Sequence, residues 1–414
     1  MTYEYKKSIV VENDKISILR SISTVEMSKL NKADIFGINV HNNTLAINYF
    51  DRAGTETKIA QKIIEFNTNC DACNEYDKLI HGLNINAKRY LFVINPVSGS
   101  GKAHKLFKSK IYHVMSNSFH KYCVIITENK HSIENYLKTV TNDLSAIVSV
   151  GGDGTTFDIL QAMKKLHINI PLAIIPSGSG NGLSKSLTFL FGNKVSYNTY
   201  DNLYYLFNGT IRNLDTTLCV NNNNTYWSVL GQSWGLPSDI DIKSEYMRRI
   251  GSMRYTVQAL IEFYRMKVYK GTIKYLPRSD ENLQLVTSEG VSVLDKYSDK
   301  CECIQSNFNM LWACQVPYMS DDAYMAPSAT MKDKTIYLVL IDAKSNISRY
   351  NLVRLFMNLE SGHHADNPYV QIIPVVAYSI VTDPTENSIL TIDGEKVNNE
   401  GIQVCIDNPI RFIF

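Results

Sequence analysis

From Arg89 onward, short continuous apolar runs alternate with longer stretches whose apolar residues share one helical face. "YLFVINP" at 90–96, "CVIIT" at 123–127, "AIVSV" at 146–150 and "PLAII" at 171–175 have the pattern of buried parallel strands. Pro96 ends the first of them. Between the runs, residues 102–119 place Leu106, Phe107, Ile111, Val114 and Met115 on one helical face. "SIENYLKTV" reads as a helix, and residues 155–166 form the next one through Ile159, Leu160 and Met163. This alternation predicts a three-layer α/β domain with a parallel sheet over residues 88–210.

The rhythm changes after about residue 210. "TYWSVLGQSWG", "GTIKYLP", "FNMLWACQVP", "TIYLVLIDA", "VQIIPVVAYSIV", "ILTIDGEKV" and "GIQVCIDN" are strand patterns, with helical periodicity at 253–266 and 348–360. Residues 211–414 therefore read as an antiparallel β-sandwich, interrupted at 278–304 by a polar stretch expected to be a mobile insertion. Residues 1–87 suggest a small β-rich accessory region closed by a helix. The stripe Ile59, Ile63, Phe66 in "TKIAQKIIEF" places that helix at 57–66.

Composition narrows the function classes. A chain of 414 residues exceeds one ordinary core. Its 42 Lys+Arg against 40 Asp+Glu provide no global field that would draw it to nucleic acid. Eight scattered cysteines, including Cys70-x-x-Cys73 and Cys301-x-Cys303 without second pairs, read as reduced thiols rather than a zinc set. The start lacks a signal-peptide pattern, and no apolar run reaches bilayer-spanning length. The expectation is a cytoplasmic protein with at most peripheral membrane contact.

Three successive strands end in glycine-rich turns: "NPVSGSGK" at 95–102, "GGDG" at 151–154 and "PSGSGN" at 176–181. In a parallel sheet these turns share one edge, where such sheets bind ligands. Glycine lets backbone N–H groups approach an anion closely, so the set points to a phosphate or nucleotide. Known motifs fail in informative ways. A Walker A loop needs glycine and Ser/Thr where Pro96 and Ala103 stand; the dinucleotide fingerprint lacks its third glycine; and Ser179 is not flanked as in a nucleophile elbow. Asp153 then has two readings. It caps a helix beginning near Thr155, or it is a carboxylate at the mouth of an anion site, placed to take a proton from an attacking hydroxyl or to organise Mg²⁺.

"NPVSGSGKA", "GGDGTTFDIL" and "PSGSGNGLSKS" resemble the successive signatures of the diacylglycerol/sphingosine lipid kinase family. "SWGLPSDIDIKSEYMRRIGSMRY" at 233–255 and "YKGTIKYLP" resemble the sphingosine kinase segment, and "IDGEKV" at 392–397 the closing Asp-Gly-Glu signature. The resemblance implies a phosphofructokinase-like α/β domain followed by a β-sandwich. The activity it implies is transfer of the γ-phosphoryl group of ATP, with Mg²⁺, to a lipid hydroxyl. It implies Asp153 as base, with Asn95, Pro96, Ser98, Gly99, Gly101, Gly152, Ser177, Gly178, Ser179, Gly180 and Asn181 around the nucleotide. Arg248 and Arg254 reach its phosphates, and Gly251 between them suggests a bend that lets both converge. Asp393, Gly394 and Glu395 serve the nucleotide, the two acids its magnesium network. Asp241 is implied to meet a sphingoid amine. Trp234, Leu260 and Phe263 are assigned to the lipid, the last two because the helix at 253–266 carries more apolar residues than one stripe needs.

The leading expectation is a sphingoid-base kinase forming products such as sphingosine 1-phosphate. A diacylglycerol or ceramide kinase of the same fold and a non-catalytic lipid-binding scaffold are the alternatives. Departures from the pattern are Asp158 where Glu is common, Gly231 where a serine often stands, and the pair Pro237-Ser238 before Asp239. The sequence leaves open the preferred base, the route to a membrane and whether the chain forms a homodimer.

Overall fold

The computed structural model describes residues 7–12, 15–20, 23–96, 101–129, 131–139, 143–178, 180–191, 198–251, 253–383, 385 and 387–414; for residues 7–29, Arg248 and Arg249 only the backbone is described. Strands β1 (Lys7–Glu12), β2 (Lys15–Arg20) and β3 (Ser23–Asn31) form one antiparallel sheet. Strands β4 (Ile35–His41), β5 (Thr44–Asp51) and β6 (Lys58–Glu65) form another, followed by helix α1 (Asn69–Leu83). Thr68 starts that helix by accepting a hydrogen bond from Asp71 N. The helix expected at 57–66 is thus a strand, and the helix follows it. Ile59 and Ile63 lie four apart, a spacing that a strand also places on one face. The residues that turn inward are Ile64 and Phe66, whereas Ile63 is 57% exposed.

This accessory region is seated on the α/β body. Phe36 and Phe50 join the cluster of Phe92, Phe107 and Phe207. Phe119 N donates to Phe36 O at 2.9 Å. Gly37 is required at the seam, since a Cβ there would lie 1.6 Å from Asn117 O.

The α/β body runs through β7 (Arg89–Ile94), α2 (Lys102–Leu106), a π-helical turn, α3 (Tyr112–Ser116) and β8 (Lys121–Ile126). It continues through α4 (Ser132–Leu137), β9 (Ala146–Gly151), α5 (Asp153–Lys165), β10 (Leu172–Pro176) and α6 (Gly182–Phe191). Its strands pair in parallel in the order β8-β7-β9-β10. Every residue of β9 is buried, as a central strand covered by helices on both faces requires. The C-terminal ends of β7, β9 and β10 share one edge, as expected.

The second half comprises α7 (Thr199–Asn208), β11 (Ile211–Asn221), β12 (Asn224–Ser228), β13 (Gly231–Gly235), α8 (Leu236–Lys243) and α9 (Met253–Arg265). Then come β14 (Tyr269–Pro277), α10 (Asp280–Glu289), α11 (Val293–Lys296), β15 (Glu302–Cys314), β16 (Tyr318–Ser320), β17 (Ala323–Tyr324) and β18 (Ile336–Asp342). Helix α12 (Arg349–Met357) and strands β19 (Gln371–Thr382), β20 (Leu390–Ile392), β21 (Glu395–Val397) and β22 (Ile402–Ile413) complete it. The long strands β15 and β19 each pair with β14 at one end and β18 at the other, so the antiparallel sheet folds over onto itself. Ile273, Phe308, Leu311, Leu338 and Val376 fill the space this creates. Strand β22 also meets β10 in parallel at Phe412 and Leu172, making one continuous sheet across both halves.

Residues 278–304 depart from the expected mobile insertion. Ser279 caps α10 by accepting from Asn282 N, and Val286, Val293 and Leu294 are buried in the core of the second half. Their apolar residues are too sparse to form a stripe by sequence but pack once the sheet is present. Among the described residues, no helix is long and apolar enough to cross a membrane.

Candidate active site

The glycine turns after β9 and β10 are packed backbone against backbone. A Cβ on Gly178 would lie 2.4 Å from Gly152 Cα, and one on Gly152 would lie 2.7 Å from Gly180 O. Only residues without side chains permit that approach. Asp153 N donates to Gly180 O at 3.2 Å and Ser177 N to Gly151 O at 2.9 Å, and Asn181 closes its own turn by bonding both the N–H and the carbonyl of Gly178. Gly178→Ala is expected to destabilise the protein by about 1–3 kcal/mol through overpacking of this seam. A denaturation midpoint unchanged from wild type would contradict the packing.

Asp153 is the first residue of α5, yet its carboxylate caps a different helix. Oδ2 accepts from Gly182 N at 2.8 Å and Oδ1 from Leu183 N at 3.2 Å, the first two N–H groups of α6. The carboxylate is thereby fixed at the junction of two helix N-termini. It faces the cavity, but the protein around it penalises its charged form. Enclosure pushes its carboxyl up to about 7; the Gly182 and Leu183 N–H groups pull it down, while Asp393 and Asp321 push it further up.

A cavity of about 670 Å³ opens beside this junction. One end is polar: Asn95, Gly152, Asp153, Gly154, Thr155 and Glu395 line it, with Asp241 and Arg254 opposite. The other end is hydrocarbon from Ile240, Ala259, Leu260, Phe263, Val353 and Phe356. Two cavity residues at the polar end hold buried donors unpaired among the described residues: Thr155 Oγ1, and Nε and Nη1 of Arg254. Arg254 is only 6% exposed, and a buried guanidinium lacking partners is costly unless an anion completes it. Its third nitrogen, Nη2, donates to Tyr255 Oη at 2.6 Å and lies 3.6 Å from Asp241 Oδ1.

The acids of the segment 239–245 divide by helix geometry. Asp239 is sealed inside, accepting from Lys243 Nζ at 2.6 Å and Tyr269 Oη at 2.5 Å. Lys243 also lies 3.5 Å from Glu262, which accepts from Gln258 and Arg265, so a buried polar network clamps α8 to α9. Asp241, two residues on, points the other way and lines the cavity. Gly251, with φ of 66°, breaks the chain between the 3₁₀ turn Glu245–Ile250, which carries Arg248, and α9, which carries Arg254.

Several expected assignments change. Asp393 lines the cavity, but its carboxylate is engaged by the protein, accepting from Ser228 Oγ at 2.5 Å and from the N–H groups of Val229, Leu230 and Gly231. Those four donors use its lone pairs to hold the turn before β13. Glu395 of the same signature also lines the cavity, its Oε1 at 3.0 Å from the position a Cβ on Gly154 would take. Trp234 is core rather than lipid wall: it is fully buried, packs on Tyr269 and Phe308, and donates Nε1–H to Ser388. Gly231 has no room for the serine that the family resemblance would place there, since a Cβ would meet Ala313 O at 2.3 Å. Ser233 lines the cavity but is bonded to Ser238 and Thr391, and Asp158 lines its polar end. Ser98, Gly99 and Ser179 lie outside the described residues, as does the side chain of Arg248. Sequence reasoning missed Tyr255, Thr155 and the wall supplied by α12. Tyr255 stands between Arg254 and Thr256, where nothing in the sequence marks it as a cavity residue.

The diacylglycerol kinase catalytic domain matches residues 89–219. Human sphingosine kinase 1 is 26% identical over 344 residues, covering 76% of this chain and 88% of that protein. Sphingoid long chain base kinase 4 of Schizosaccharomyces pombe is 24% identical over 346 residues, covering 77% of this chain and 73% of its own length. In fold, the crystal structure of a diacylglycerol kinase from Bacillus anthracis str. Sterne superposes with a TM-score of 0.51 at 14% identity, over 79% of this chain and 96% of that one. Two further chains from that organism reach 0.58 and 0.56. With the glycine turns of β9 and β10 packed together beside a cavity that is acidic at one end and oily at the other, these likenesses converge: the chain carries a diacylglycerol kinase catalytic domain at residues 89–219 and is similar to sphingosine kinases over 76% of its length.

Proposed function

We propose that this protein transfers the γ-phosphoryl group of ATP to the primary hydroxyl of a sphingoid long-chain base, giving products such as sphingosine 1-phosphate. The observation that carries the reading is an amphipathic cavity, with Asp153 and the unpaired donors of Arg254 at its polar end and hydrocarbon at the other. Phosphoryl transfer is mainly positioning and charge stabilisation. The α5 N-terminus and the Arg254 guanidinium supply positive potential for the phosphates. Asp153 takes the proton of the attacking hydroxyl, and a carboxyl held near 7 suits that task.

Magnesium fits this site only as part of the nucleotide. Among the described residues no three potential ligands gather to hold a metal, and Asp393 is committed to backbone N–H groups. Glu395 would meet an ion bound to the phosphates, whose charge that ion would neutralise.

Asp241 gives the site its preference for an ammonium over an uncharged glycerol lipid. Asp241→Asn is expected to lower kcat/KM for sphingosine about 30-fold or more while leaving diacylglycerol phosphorylation unchanged. Equal losses on both lipids would refute the ammonium contact. Access from a membrane is supported by the outer face of α9, where Met253, Val257, Leu260 and Tyr264 recur along one stripe and are all exposed beside the cavity mouth. Radiolabel transfer from γ-labelled ATP, compared across sphingosine, dihydrosphingosine, phytosphingosine, ceramide and diacylglycerol, tests the assignment. Label is expected mainly on the free bases, with only weak label on diacylglycerol; label confined to diacylglycerol or ceramide would select the alternative kinase, and none at all the scaffold.

A further inference from the structure

Tyr255 lines the cavity close to its polar end. Its ring lies under the Arg254 guanidinium, whose Cζ is 4.4 Å from the ring centroid, and its oxygen accepts from Arg254 Nη2 at 2.6 Å. A phenol both accepts and donates. The phenol proton of Tyr255 is given to no protein group among the described residues. The direction of this oxygen is also fixed. A Cβ built on Gly180 would be 3.7 Å from Asp153 Oδ2 and 3.9 Å from Tyr255 Oη, so the two groups face the same space. On its other side Arg254 links Tyr255 to Asp241, 3.6 Å from the guanidinium. Asp153, Tyr255 and Asp241 therefore surround one stretch of the cavity, directly before the hydrocarbon of Ala259, Leu260 and Phe263.

We propose that Tyr255 is a third head-group contact, its hydroxyl donating a hydrogen bond to the 3-hydroxyl oxygen of a 2-amino-1,3-diol lipid. This rests on the sphingoid-base reading above, which already gives the primary hydroxyl to Asp153 and the ammonium to Asp241. A 2-amino-1,3-diol carries its polar groups on three adjacent carbons, and the cavity presents three polar groups around one point. Two carboxylates can each accept from an N–H or O–H, but neither can donate to a lone pair of the third oxygen. Tyr255 can. A phenylalanine would supply the same wall, so the hydroxyl adds polarity where Arg254 alone satisfies only its acceptor side. The contact makes this site selective for the 1,3-diol over an amino alcohol lacking the 3-hydroxyl.

The test compares kcat/KM for sphinganine and for 2-aminooctadecan-1-ol, which lacks the 3-hydroxyl, in wild type and Tyr255→Phe. Wild type is expected to prefer the diol by about tenfold, the worth of one hydrogen bond. Tyr255→Phe is expected to lose that preference: whatever loss the missing Arg254 contact imposes on both lipids, the diol falls about tenfold further, to the level of the amino alcohol. A purely structural role would lower both substrates by one factor, and that result would overturn the proposal. Equal use of both lipids by wild type would overturn it as well, without need of a variant, while leaving the sphingoid-base reading intact. Phosphorylation of neither lipid by wild type would remove the parent reading and this inference together.

Discussion

Asp153→Asn is expected to lower kcat by about 10³-fold while the protein remains folded. General-base assistance contributes about 10²–10⁴, and the amide keeps an oxygen for one of the two α6 N–H groups that Asp153 now caps. The same carboxylate sets the pH dependence. Its pKa in the folded protein is raised to about 7, so it holds its proton below that pH and is an active base above it. Wild-type kcat/KM should therefore rise with pH through about 7 and level off, and the variant's residual activity should lose that step. The sign for stability is opposite: the folded state keeps a proton that the unfolded chain releases at a far lower pH, so this group favours folding less as pH rises toward 7. Asp153→Asn should accordingly be more stable relative to wild type at pH 8 than at pH 5, read by denaturant midpoints at each pH. A variant that is inactive because it is unfolded would contradict both expectations.

Arg254→Met ranks second. Two of the three guanidinium nitrogens are buried without partners, and the third holds Tyr255 and stands beside Asp241. Loss of one such donor near developing charge typically lowers kcat about 10²–10³-fold, and KM for ATP should rise with it. Arg254→Lys is not expected to rescue. An ammonium lacks the planar fork that reaches Tyr255 and a phosphate at once. Arg254→Met should also stay within about 1 kcal/mol of wild-type stability, because two buried nitrogens without partners are removed along with the ion pair to part-exposed Asp241. Lost stability with unchanged KM for ATP would instead assign Arg254 to the fold.

How much of this was legible in the sequence depends on the kind of signal. The α/β body was readable because buried parallel strands are continuous apolar runs, and turns after parallel strands must share an edge. The glycines at 152 and 178 read as letting an anion approach, whereas what the structure shows them approaching is each other's turn. Local sequence could not reveal that Asp153 caps α6, since that helix begins 29 residues later and meets it only through the pairing of β9 with β10. Asp393 and Asp241 resemble each other as letters in motifs. Both line the cavity, and only the four donors gathered around Asp393 separate their duties. Trp234 failed for the same reason: a strand tryptophan reads identically whether it faces a core or a ligand. At 57–66, a four-residue spacing fits both a helix and a strand, and pairing with β5 decided it.

The measurement closest to the central claim is a structure of the protein with a non-hydrolysable ATP analogue, Mg²⁺ and sphinganine. The terminal phosphate should lie between the α5 N-terminus and Arg254, the primary hydroxyl within hydrogen-bond reach of Asp153, and the alkyl chain among Ala259, Leu260, Phe263, Val353 and Phe356. A nucleotide bound away from Asp153, or a lipid lying outside that cavity, would contradict it.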